Sequence, residues 1–350
     1  MTFMIYGAYG YTGRLVAEQA VAEGDAPLLA GRRAEPLRRL ADEFGLPWRV
    51  ASLEDSAGLR SALEEVEAVI HCAGPFSRTS RPMLDACLAT GRHYLDITGE
   101  VDVFEAVRAR DAEARAAGVV LLPGAGFDVV PSDCLAAALA ERLPGADALE
   151  LAFATEGGGL SPGTTKTALE GLPRGGLVRR NGRLEHRPPA HRTRLVPFSD
   201  RPRRCAAIPW GDVSTAYQST EIPNITVYTA LPGPALALVR LAHLARGLLA
   251  RPSAQALGRR AVEALVRGPG PEARRRARTH LWGRVSVSDG ASLEGTLDVP
   301  EGYSFTARAA LACAERILAG EVPPGATTPS LAFGADFVLA LPDVTRRIPR

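Results

Sequence analysis

The chain has 350 residues, 46% of them hydrophobic and 23% charged, which is enough to bury two domain-sized cores and excludes a disordered chain. Its 41 basic and 39 acidic residues leave a net charge of +2, which excludes the concentrated basic face of a general nucleic-acid binder. Cys72, Cys87, Cys134, Cys205 and Cys313 are odd in number and show no C-x-x-C spacing, so free thiols in a reducing cytoplasm are expected, with neither a disulfide framework nor a metal site.

The first residues, "MTFMIYGAYG", carry no basic n-region and no long apolar core, so no secretory leader is read there. "TFMIY" reads as a buried strand, followed by "GAYGYTG" and a helical run "RLVAEQAVAEG". "PLLAGRR", "WRVASLED", "EAVIHCAGPF", "HYLDITGE" and "GVVLLPGAGFDVVPSD" supply five more strands with helical stretches between most of them. Alternating β and α at this spacing predicts a doubly wound parallel sheet, an N-terminal Rossmann domain over residues 1–147.

The pattern changes beyond that point. "ALELAFAT" and "IPNITVYTAL" read as strands, and the Gly/Pro/Arg-rich tract 156–215 holds short strand-like pieces. Helices are expected near 234–250 and 253–267, and "THLWGRVSVSDG" and "ASLEGTLDV" as antiparallel partners across an Asp-Gly turn. Residues 148–300 are therefore read as an α+β domain with an antiparallel or mixed sheet, for substrate binding or dimerisation. Residues 301–350 bring a helix and tail back near the first domain. In the most apolar tract, residues 231–250, Arg240, His243 and Arg246 recur every third residue. That spacing makes a polar stripe on a helix and excludes an integral membrane span. Buried packing is expected for the rest of that helix, with a homodimer face or a membrane-surface helix as the alternatives. The run "RRRAR" at 274–278 reads as a solvated arginine surface.

Gly7, Gly10 and Gly13 form G-x-x-G-x-x-G between a strand and a helix. In that context the glycines allow a tight turn, close approach of a pyrophosphate, and helix-on-strand packing. The helix N-terminus offers amide donors and partial positive charge to phosphate. Tyr9, Tyr11 and Thr12, in the same turn, are grouped with it as cofactor contacts. Where an NAD site places a carboxylate, at the end of the second strand, this chain has Arg32 and Arg33. Guanidinium groups there suit a 2′-phosphate, so NADP(H) is the expected cofactor. Ser52 is expected near the adenine. Gly74, Pro75 and Phe76, Thr98, and Gly126 lie in loops on the same carboxyl edge of the sheet and are read as the nicotinamide wall.

"GAYGYTGRLVA", "CAGPF", "HYLDITGE", "PGAGFDVVPSD", "SPGTTKTALEG" and "EGYSFTARAAL" occur in the order seen in saccharopine dehydrogenase-like oxidoreductases. The chain most resembles their bacterial branch, which includes trans-acting enoyl reductases. The resemblance implies an NAD(P)H-binding Rossmann domain, a mixed α/β second domain, and hydride transfer to a C=N or C=C bond of a small-molecule, specialised-metabolite substrate. An opine-type amino-acid dehydrogenase and a non-catalytic NADP(H)-binding scaffold or sensor are the alternatives.

Lys166, the only lysine, sits in "SPGTTKTALEGL". That stretch resembles the substrate loop of dihydrodipicolinate reductase, which implies that Gly163, Thr164 and Thr165 hold an anionic substrate. A lysine, unlike arginine, is a tunable acid, so Lys166 is a candidate proton donor. Tyr217 and Asp128 are further catalytic candidates, and Glu100 a substrate contact. Ser132 or Asp133 is expected to cap a helix, and His71 and His93 to be satisfied core residues.

Overall fold

The computed structural model describes residues 2–288 and 290–349. Six short apolar runs form the first strands: β1 (Phe3–Tyr6), β2 (Leu28–Gly31), β3 (Trp48–Val50), β4 (Ala68–His71), β5 (His93–Asp96) and β6 (Val120–Leu122). Helices α1 (Tyr11–Ala22), α2 (Ala34–Phe44), α3 (Ser56–Leu63), α4 (Phe76–Thr90), α5 (Val101–Arg108) and α6 (Asp111–Ala117) connect them. All pairings in this sheet are parallel, with Ile5 opposite Leu29 and Ile70, and Val69 opposite Tyr94. Strands β1, β2 and β4 are buried along their whole length because helices cover both faces. The edge strand β3 is exposed instead. The order β6-β5-β4-β1-β2-β3 reverses its winding between β1 and β4, where doubly wound sheets bind ligands at their carboxyl ends.

Beyond β6 come α7 (Val130–Arg142), β7 (Ala148–Glu156), α8 (Pro162–Gly171), β8 (Gly176–Arg180), β9 (Arg183–Arg187), β10 (Thr193–Pro197), β11 (Pro202–Ile208), α9 (Asp212–Thr220) and β12 (Asn224–Ala230). Four helices follow, α10 (Gly233–Leu244), α11 (Arg246–Leu249), α12 (Pro252–Leu265) and α13 (Pro271–Arg276), then β13 (Arg278–Ser286) and β14 (Ser292–Pro300). The last elements are α14 (Gly302–Leu318), β15 (Gly325–Ala326), α15 (Pro329–Phe333) and β16 (Thr345–Arg347).

Two compact units result. One holds the residues up to Val130 together with Gly302–Gly334; the other holds Pro131–Glu301 and the residues from Ala335 onward. In the first, β15 adds a seventh parallel strand beside β6, and α14 packs on α1. Phe305, Ala309, Ala310, Cys313 and Ile317 give α14 its buried face.

The second unit is built on a nine-stranded mixed sheet, in which β12 and β7 pair in parallel and the remaining pairs are antiparallel. Val196, Phe198, Tyr228 and Trp282 lie in one core cluster on it. The β13–β14 hairpin pairs in unbroken register from Arg278–Pro300 to Ser286–Ser292. Asp289 of the expected Asp-Gly turn lies outside the described residues.

Two features depart from the sequence-based expectation. The tract 156–215 contains a helix, α8, as well as strands. Pro162 opens it, and the Ser161 hydroxyl accepts from the Thr164 amide at 3.1 Å as an N-cap. The helices of 231–267 do not bury all their apolar residues either: Leu238, Leu241 and Leu244 stand exposed on α10, since no element among the described residues covers that side.

Candidate cofactor-binding and active site

The turn from β1 into α1 leaves no room for side chains. Gly7 has φ +82°, and a Cβ there would lie 2.9 Å from the Ala73 Cβ. A Cβ on Gly13 would meet the Gly7 carbonyl oxygen at 2.4 Å. Gly10 precedes α1 with backbone only; no side chain caps the helix and no acidic residue stands in its first turn. The glycine cradle and the uncapped helix end together fit a pyrophosphate. Thr12 lies half-buried in that first turn.

At the end of β2, the Tyr9 ring lies against Gly31, where a Cβ would approach its Cε1 to 2.8 Å. The Arg33 guanidinium stands over the Tyr9 ring at 5.0 Å. Arg32 and Arg33 are both exposed, and neither joins an ion pair among the described residues. Nearby arginines differ: Arg14 pairs with Glu18 and Glu43, Arg38 with Glu35 and Asp42, and Arg39 with Glu35. The helix-surface arginines are thus neutralised locally, while the two that follow β2 have a chemistry that suits a phosphate.

The remaining loops at this edge are tied together from within. Asp96, buried at the end of β5, accepts from the Tyr94 hydroxyl at 2.5 Å, the Thr98 amide at 3.0 Å and the Gly124 amide at 2.9 Å. Burial raises its carboxyl to about 6 despite those donors. Thr98 accepts from the Glu100 amide at 3.0 Å. Glu100 in turn accepts from the amides of Phe76 and Ser77 at 2.8 and 2.9 Å, so its carboxylate caps α4 from another loop. Ser52 accepts from the Glu54 amide at 3.2 Å and shapes the turn after β3.

Asp128 is the group here whose charge is least settled. It is half-buried, and burial followed by repulsion from Glu100 raises its carboxyl from 3.8 to about 7. Gly99 faces it so closely that a Cβ would lie 2.7 Å from Oδ2. The start of α14 adjoins the same loop. Thr306 accepts from the Phe127 amide at 3.0 Å, its methyl lies 2.7 Å from where a Gly126 Cβ would be, and Tyr303 meets Tyr11 edge-on at 5.0 Å.

Several expected residues have other engagements. Lys166 and Gly163, Thr164 and Thr165 lie within α8, and the Lys166 ammonium donates to Glu263 on α12 at 2.7 Å. The Arg179 guanidinium covers the Tyr217 ring at 4.2 Å. Phe76 is buried in the core against His71 at 5.4 Å, next to the Gly74–Pro75 turn. Ser132 and Asp133 lie inside the first turn of α7, where Asp133 accepts from the Ser219 hydroxyl.

His93 is satisfied, accepting from the Val120 amide at 3.0 Å. His71 is core as expected but not satisfied: by geometry neither ring nitrogen has a hydrogen-bond partner among the described residues, and Tyr6, Phe76 and Tyr94 surround it. Burial lowers its imidazole to about 3, keeping it neutral.

Among the described residues, Glu156, Asp200 and His280 come within metal-ligand reach of one another. The Arg203 guanidinium bridges the two carboxylates at 2.7 and 2.6 Å, which makes the group an ion-pair network.

Asp96 and Thr306 hold these loops and Tyr303 packs on Tyr11, contacts that the sequence does not predict. Asp96 ends a strand, as a ligand-edge residue should, but nothing local marks its acceptor role. Tyr303 and Thr306 are remote in sequence and arrive only with α14.

A glycine cradle at a switch point, an uncapped helix end and two unpaired arginines after β2 define a dinucleotide-binding Rossmann domain suited to a 2′-phosphate. Residues 3–122 match the family model described as the saccharopine dehydrogenase NADP binding domain. The trans-acting enoyl reductase of Mycobacterium leprae is 34% identical over 138 residues, covering 37% of this chain and 33% of that protein. The human saccharopine dehydrogenase-like oxidoreductase is 26% identical over 194 residues, covering 48% of this chain and 45% of its own. The matched stretches thus span less than half of these relatives. Yeast saccharopine dehydrogenase (L-Glu forming) superposes with a TM-score of 0.70 over all of both chains at 12% identity, a likeness of fold.

Proposed function

We propose that the protein is an NADPH-dependent reductase acting on a polarised double bond, C=C or C=N, of a small specialised metabolite, with Asp128 as its proton donor. NADPH held on the glycine cradle would supply the hydride. Arg32 and Arg33 would grip the 2′-phosphate, the α1 amides the pyrophosphate, and the Asp96-braced loops would fix the carboxyl edge of the sheet. Reduction also needs a proton, and the observation that carries this reading is Asp128. A carboxyl raised to about 7 beside a close-packed glycine still holds a proton near neutral pH and can release it.

Lys166 is braced by Glu263 within the second unit, which favours a role in holding α8 on α12. The names of the mycobacterial relatives favour C=C over C=N. The test is an NADPH-oxidation screen over enoyl thioesters, imines, and oxo-acids mixed with amines. Turnover of an enoyl or imine compound that falls at least about a hundredfold in Asp128→Asn, with NADPH affinity kept, is the expected result. Unchanged turnover removes Asp128 from the chemistry. Tight NADPH binding without turnover of any of these classes leaves a non-catalytic binder.

A further inference from the structure

We infer that helices α10–α12 form a docking face for anionic lipid bilayers. Leu238, Leu241 and Leu244 recur at three-residue spacing and therefore share one side of α10; they are 66%, 63% and 79% exposed. Ala235, Leu236 and Val239, on the other side, are half-buried. The helix therefore has one apolar face that packs and a second that meets solvent. The pattern continues along the chain, with Leu248 on α11 and Leu257 and Leu265 on α12 also exposed. Exposed leucine repeated over three consecutive helices exceeds the scattered single residues normal on a surface.

The charge around these leucines selects the occupant. Residues 222–262 contain five arginines and one histidine, with no aspartate or glutamate, in a chain that has 41 bases and 39 acids as a whole. Arg259 pairs with Glu170. Among the described residues no carboxylate pairs with Arg240, Arg246 or Arg251, whereas Arg260 has Glu263 as an electrostatic neighbour. A second copy docking through this face would set these arginines against their own kind. An anionic bilayer accepts both features at once: leucines enter the acyl boundary while the arginine stems reach back to lipid phosphates. A fluid surface also needs no matching shape. No helix among the described residues is long and apolar enough to cross a membrane, so these helices lie on the bilayer.

The experiment is co-sedimentation of the full chain with vesicles of phosphatidylcholine alone, or with about a third phosphatidylglycerol, followed across salt. The expected result is binding to the mixed vesicles, weak binding to neutral ones, and loss at high salt. Leu238→Ser/Leu241→Ser should lower partitioning by about tenfold or more, and Arg246→Gln/Arg251→Gln by about tenfold. Circular dichroism and NADPH titration should be unchanged in both, because these side chains are exposed and lie outside the NADP-binding domain. Absence of binding to mixed vesicles overturns the proposal, as does equal binding to neutral ones. A concentration-dependent dimer that the leucine variant makes monomeric, without vesicle binding, assigns the face to a second copy and also overturns it.

Discussion

At the scale of single residues, Gly13 and Asp128 carry the sharpest consequences. Gly13→Ala drives a methyl into the Gly7 carbonyl, 2.4 Å away, and both are backbone-anchored. Relief requires moving α1 off β1, so a loss of about 1–3 kcal/mol and of NADPH binding is expected, read by thermal melts with and without cofactor.

Asp128 has a folded value of about 7, above its ordinary 3.8. The folded state therefore keeps a proton that the unfolded chain has released. Its contribution to stability is full below the unfolded value and is lost as pH rises toward 7. Asp128→Asn should remove this slope, giving a melting temperature that gains on the native protein from pH 4 to 7.5. Glu100→Gln removes the like charge beside Asp128. It should move that titration, and any activity profile that follows it, to lower pH. It should also cost about 1 kcal/mol in melts by weakening the cap on α4.

At the scale of elements, helix ends and ion pairs decide what stays in place. Lys166–Glu263 and Arg259–Glu170 both join α8 to α12, and a Cβ on Gly258 would strike Leu169 at 2.4 Å, so the two helices meet closely. The Lys166 pair ends on an exposed carboxylate and is screened by solvent, so it adds little stability. Lys166→Met should therefore lower the melting temperature slightly and leave NADPH turnover intact; a large loss of turnover would return the lysine to the chemistry.

Periodicity in the sequence located β1 to β6 and the helices of 231–267, since buried strands and amphipathic helices write their burial into hydrophobic pattern. It could not separate α8 from its strand-rich tract. That helix starts on a local Ser161–Pro162 signal and has no buried residue of its own. Nor could it show that the α10 leucines stay exposed, because periodicity reports that a face is apolar and is silent on whether anything covers it.

At the scale of the whole molecule, the NADP-binding unit is assembled from two distant stretches of chain. Residues 1–130 alone would lose β15 from the sheet edge and the α14 cover on α1. That fragment should aggregate or melt broadly, and rejoining 302–334 to it should restore a cooperative transition and NADPH binding. In the full chain, NADPH should raise the melting temperature more than NADH at equal concentration, by mass action. Arg32→Ala should weaken NADPH by about tenfold or more while sparing NADH, as read by fluorescence titration; equal losses would contradict the 2′-phosphate role.

Short-range chemistry is what the sequence determined by itself. The glycines of a turn, the arginines that follow a strand and the alternation of β with α act within a few residues of one another, so a dinucleotide cradle can be read from them directly. The tertiary structure decided whatever depends on partners far along the chain. Asp128 owes its raised carboxyl to burial and to Glu100, Lys166 its engagement to Glu263, and the loop at Gly126 and Phe127 its packing to Thr306. Desolvation, ion pairing and close packing depend on distance in space, and no pattern along the chain encodes that distance.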